Sequence, residues 1–78
     1  MTNELMAKSA RQIREDAGLS LRDVQECCRA EGHSLRHSAL SMLETGKRRW
    51  NADHIDAFCA GVYMPVCEFL RTVAEAAK

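Results

Sequence analysis

Four glycines, Gly18, Gly32, Gly46 and Gly61, cut this chain of 78 residues into short stretches. Within each stretch the apolar residues recur three and four positions apart, which is the period of a helix face. A glycine just past the last such residue closes a helix, because it accepts the left-handed conformation of the C′ position. Leu5, Met6, Ala10, Ile13 and Ala17 predict a first helix over 3–17, with Thr2 or Asn3 as its cap and Gly18 past its end. Ser20 and Asp23 have capping-box spacing; Val24, Cys27 and Cys28 give the second helix its apolar face, up to about Arg29 or Glu31. Leu35, Ala39, Leu40 and Leu43 mark a third helix over about 36–45, closed by Gly46. Asn51 caps a fourth over about 52–60, with Ile55, Phe58 and Cys59 on its inner face and Gly61 at its C′ position. Pro65, the single proline, opens a fifth helix faced by Val66, Phe69, Leu70 and Val73, a position where its missing N–H costs little. The last residues, from Glu75 to Lys78, are expected to fray.

The fold class expected is all-α, five short helices in one domain over 1–78. Hydrophobic residues are 46% and charged residues 28%, enough for a packed core and too apolar for disorder. A chain of this size buries only about 60% of its unfolded surface, so the core has to be efficient. No apolar run approaches the roughly 18 residues of a membrane span. The opening, MTNELMAKSARQIRED, has no apolar leader core, so a cytoplasmic protein is expected, with Cys27, Cys28, Cys59 and Cys67 reduced.

Two stretches carry more than helix periodicity. Ile13 to Val24 reads IREDAGLSLRDV, and Ser38 to Arg49 reads SALSMLETGKRR. In this order and spacing they resemble the helix-turn-helix of lambda-repressor-like (XRE/Cro family) DNA-binding domains. Asn51 to Leu70, with the pair Gly61-Val62 and then Pro65, is similar to the family's fourth and fifth helices, with a lead into helix five a residue or two longer. The resemblance covers about residues 8–72, and the Ala-Leu-Ser-x-Leu-Glu-x-Gly-Lys-Arg-Arg variant is similar to those of actinobacteria and their phages. The chain departs from the pattern between helices two and three, where it is about five residues longer. Arg29-Ala30-Glu31-Gly32-His33 is the insertion, read as an extra helical turn plus a loop. Arg36 stands where the family caps helix three with Ser or Thr, and Ser34 is the alternative cap.

The resemblance implies a compact five-helix bundle with helix three in the major groove of double-stranded DNA. By position, Arg36, His37, Ser38, Ser41 and Met42 become the candidate base contacts. His37 is read as a donor to a purine N7 or O6, or as a phosphate contact, against the alternative of a plain exposed residue. Met42 packs on a thymine methyl or belongs to the core or the solvated surface. None of the helix's own residues makes a bidentate pair, unless Arg36 turns inward, so direct readout is expected to be modest and supplemented by DNA shape. Ser20, Leu21 and Arg22 at the start of helix two, and Lys47, Arg48 and Arg49 after helix three, are the candidate phosphate contacts, which set register rather than sequence. Arg14 and Glu44 match an architectural ion pair. Trp50 replaces an apolar β-branched residue and is read as core, with a dimer contact as the alternative. Met64, Val66, Cys67, Leu70 and Val73 form the expected dimer surface.

The function implied is a sequence-specific transcriptional regulator without cofactor, binding an operator as a homodimer, with a monomer or weak dimer off DNA as the alternative, in the manner of Cro-like regulators, immunity repressors or antitoxins. The chain ends soon after helix five, so no second dimerisation domain is expected. The alternative is a protein-interaction module, an antitoxin or antirepressor, that keeps the fold without needing DNA. Cys27 and Cys28 with His33 and His37 show a zinc-like H-x3-H spacing. Adjacent cysteines on a helix point about 100° apart, however, and no metal site is expected. No catalytic constellation is present, so an enzyme is not expected.

A formal net charge of zero argues at first against a nucleic-acid partner. The charges are not evenly spread. Residues 1–35 hold five basic and six acidic side chains, residues 36–49 four and one, and residues 50–78 two and four. The basic block is the third helix and the loop after it.

Overall fold

The computed structural model describes residues 2–78. Five helices run in order, α1 (Asn3–Asp16), α2 (Leu21–Ala30), α3 (His37–Glu44), α4 (Ala52–Gly61) and α5 (Val66–Ala76), and no strand occurs among the described residues. Each boundary has a local cause. Thr2 Oγ1 accepts from the Leu5 amide at 3.1 Å and starts α1. Ser20 and Asp23 close a full capping box on α2, with bonds of 2.9 and 3.0 Å. Asn51 and His54 do the same for α4. Pro65 holds the residue before α5 in the extended region. The connection of α2 to α3 spans residues 31–36, so the longer turn expected there is present.

The core lies where α2 packs on α3 and α4, while α1 packs on α3 and α5. Val24, Cys28, Leu40, Leu43, Phe58, Phe69 and Val73 are fully enclosed. Trp50, between α3 and α4, is buried: its Nε1 donates to the Leu43 carbonyl at 3.1 Å. Its ring meets Phe58 edge-on at 5.6 Å and Phe69 at 6.0 Å, a favourable arrangement for aromatic quadrupoles. The core reading of Trp50 therefore stands.

Two expectations are corrected. Gly61 is the last residue of α4 and not its left-handed C′ residue; the positive φ falls on Tyr63, at 56°. Gly61 is needed for a different reason. A Cβ there would lie 2.7 Å from Cys28 Sγ, 2.9 Å from Val24 Cγ1 and 3.1 Å from the Val24 carbonyl, so α4 passes over α2 where only a hydrogen fits. Val73, placed on the dimer surface, is fully buried in the monomer core, because the inward stripe of α5 runs through Phe69 and Val73, four positions apart.

Candidate nucleic-acid interface

Helix α3 is divided lengthwise. Leu40, Leu43 and Glu44 are buried. On the other side, Ser38 and Met42 are exposed, Met42 at 41%, while His37 and Ser41 are half-buried. These four fall at i, i+1, i+4 and i+5, so they share a face. The expected base contacts are thus brought together, with exposed Arg36 at the N-cap position just before them. Met42 is surface and not core.

The basic loop is strapped to that same face. Gly46, at φ 77°, turns the chain after Thr45. The amides of Lys47 and Arg48 then both donate to the Met42 carbonyl, at 3.0 and 3.2 Å. Asn3 holds the far end of the loop: its Oδ1 accepts from the Trp50 amide at 2.8 Å, and its Nδ2 donates to the Arg48 carbonyl at 3.4 Å. Lys47, Arg48 and Arg49 are exposed, and neither they nor Arg36 has a carboxylate partner among the described residues. The single acid of residues 36–49, Glu44, is taken up elsewhere. Arg14 binds it through two bonds, Nε to Oε2 at 2.8 Å and Nη2 to Oε1 at 3.0 Å, and gives a third to the Leu19 carbonyl at 2.8 Å. The hydrogen bonds that Arg14 donates to Glu44 raise its pKa above the ordinary value, against the opposing effect of burial. The loop's positive charge is consequently uncompensated.

The start of α2 offers less than the sequence suggested. The Ser20 amide and the acceptor side of its hydroxyl are occupied by Asp23, which leaves the Leu21 and Arg22 amides for an anion. The Asp23 carboxyl sits in the same turn, its pKa held below the usual carboxylate value by the Ser20 backbone N–H and then by the Ser20 hydroxyl. A carboxylate there already answers the helix dipole and repels a phosphate, so the exposed Arg22 side chain is the stronger anion ligand of the three.

The structure adds a residue that periodicity did not reveal. Neither Ser34 nor Arg36 caps α3 with its side chain. The cap comes from α2: Gln25 Oε1 accepts from the His37 amide at 2.7 Å and pairs with His37 Nδ1 at 2.9 Å.

Cys28 points into the core and donates its thiol to the Ala57 carbonyl at 2.9 Å, and His37 is engaged by Gln25. No three His, Cys, Asp or Glu side chains converge for a metal ion among the described residues. On α5 and the turn before it, Val66 and Cys67 are exposed and Met64 and Leu70 half-buried. With Val73 buried, these four make up what remains of the apolar strip.

The chain matches the clp gene regulator ClgR from C. glutamicum with a TM-score of 0.80 and 24% identity, over 97% of this chain and 92% of that chain. The two share a fold. No family model matches the chain, and no curated protein matches it in sequence.

Proposed function

We propose that this protein is a sequence-specific DNA-binding transcriptional regulator of the lambda-repressor-like (XRE/Cro) kind, which lays α3 in the major groove. One observation carries the reading. The uncompensated Lys47-Arg48-Arg49 loop is bonded to the Met42 carbonyl, beside the exposed polar face of α3. Cations placed there meet phosphates when the helix meets base edges. The shared fold with a clp gene regulator supports the same reading.

Arg36, His37, Ser38, Ser41 and Met42 face the bases, and Arg22, Lys47, Arg48 and Arg49 with the Leu21 and Arg22 amides face phosphates. The protein acts as a homodimer through Met64, Val66, Cys67 and Leu70, with Val66 36% exposed. It works in the cytoplasm; no single helix among the described residues is long and apolar enough to cross a membrane. Selection of bound sites from random DNA tests the proposal. Two symmetric half-sites about one helical turn apart, roughly 10 base pairs, are expected. A folded protein that enriches no sequence supports instead an interaction module that has kept the fold.

A further inference from the structure

At the junction of α2 and α3 one side-chain oxygen serves two groups of the same residue. Gln25 Oε1 lies 2.7 Å from the His37 backbone nitrogen and 2.9 Å from His37 Nδ1. A backbone N–H can only donate, so the atom facing it is the carbonyl oxygen of Gln25 and not its NH₂. The NH₂ turns the other way and donates to Glu26 Oε1 at 3.3 Å. An amide oxygen has no hydrogen to give, so it pairs with Nδ1 only when Nδ1 carries the proton. Amide orientation and histidine tautomer, ordinarily ambiguous, are both decided here by one backbone donor. In the neutral ring the lone pair is left on Nε2, which has no partner among the described residues.

We propose that Gln25 is a positioning residue that sets base specificity: it holds His37 in the Nδ1–H tautomer, so that Nε2 accepts a hydrogen bond from adenine or cytosine. In the major groove these two bases present exocyclic amines, whereas guanine and thymine present acceptors and no amine donor. The position reads from His37 as an acceptor, the reverse of the donor role that a histidine in this place suggests from sequence. The inference rests on the DNA-binding reading of α3. It also accounts for Gln25 itself: the exposed Arg36 provides no side-chain cap, so the same oxygen starts the helix and orients its first side chain.

Two measurements test it together. The first is ¹⁵N NMR of the neutral His37 ring in the free protein, wild type and Gln25→Leu. The wild type is expected to show a protonated Nδ1 and a bare Nε2, and Gln25→Leu a shift toward the Nε2–H form. The second is random-DNA selection with wild type, Gln25→Leu and His37→Ala. The wild type is expected to prefer adenine or cytosine at one position of each half-site by about tenfold, the scale of one good base contact. Both variants are expected to lose that preference while keeping the rest of the site. Should Gln25→Leu fail to fold, the wild-type tautomer and His37→Ala still decide. An Nε2–H ring in the wild type overturns the proposal, as does a guanine or thymine preference that His37→Ala abolishes. Specific DNA binding with no amine preference overturns this inference alone. A correct tautomer with no DNA enrichment overturns the DNA-binding reading and the base selection with it.

Discussion

Arg14 on α1 and Glu44 at the end of α3 form a two-bonded ion pair that is largely shielded from water, with side-chain exposures of 13% and 4%. The pair joins the first helix to the end of the candidate recognition helix. Truncating either partner strands the other charge in a site with little solvent, at a cost of about 3 kcal/mol. Arg14→Ala and Glu44→Ala are each expected to lower the unfolding free energy from chemical denaturation by that scale. The double variant should cost clearly less than the sum, because the second truncation removes the stranded charge.

Gly61 lets α4 lie on α2. Alanine there has the better helix propensity, by about 1 kcal/mol, yet its methyl has no room against Cys28 and the Val24 backbone. Overpacking of this kind costs about 1–3 kcal/mol, so Gly61→Ala is expected to destabilise. Adding Cys28→Ala should recover part of the loss, as chemical denaturation of the two single variants and the double variant will show.

Asn3 connects the N-terminal helix to the basic loop. Asn3→Ala leaves the Trp50 amide without its acceptor and frees the Arg48 carbonyl. The expected loss of stability is about 1 kcal/mol. Amide hydrogen exchange should speed up over residues 48–50, and DNA affinity should fall although Asn3 is not among the expected DNA contacts.

The buried thiols give the fold an alkaline limit. Burial pushes the Cys59 pKa up to about 11, with the Asp56 charge acting in the same direction, and raises that of Cys28. The unfolded thiols ionise first. Their contribution to stability is therefore complete below the ordinary value of about 9 and is lost as pH rises toward about 11. Unfolding free energy measured against pH should fall across that window, less steeply in Cys59→Ala. At neutral pH a thiol reagent should modify Cys28 and Cys59 only on unfolding.

What can be read in the sequence is local. Thr2, Ser20 and Asn51 announce their helices because a cap needs only the next three residues. Arg14–Glu44 is reached through the family resemblance, since no spacing rule links positions 30 apart. Gly61 looks like a terminator in sequence: its role depends on where α2 crosses α4, which no window of sequence contains. Val73 falls on the wrong surface because an apolar stripe shows a helix's inner face without showing which of its members a neighbouring helix covers. Gln25 gives no signal at all. It lies mid-helix between Val24 and Glu26, and its value emerges only when the six-residue connection brings His37 back beside it.

The most direct test of the account is the salt dependence of DNA affinity for the wild type and for Arg48→Ala with Arg49→Ala. The wild type should bind its selected site more tightly than unrelated DNA, with log affinity falling linearly in log salt. The double variant should bind all sequences more weakly and to a similar degree. Its slope should be shallower by about 2, since each phosphate that a cation neutralises contributes about 0.9. Affinity that does not change with salt, or a double variant that loses sequence preference while keeping its affinity, would contradict the placement of this loop on the DNA backbone.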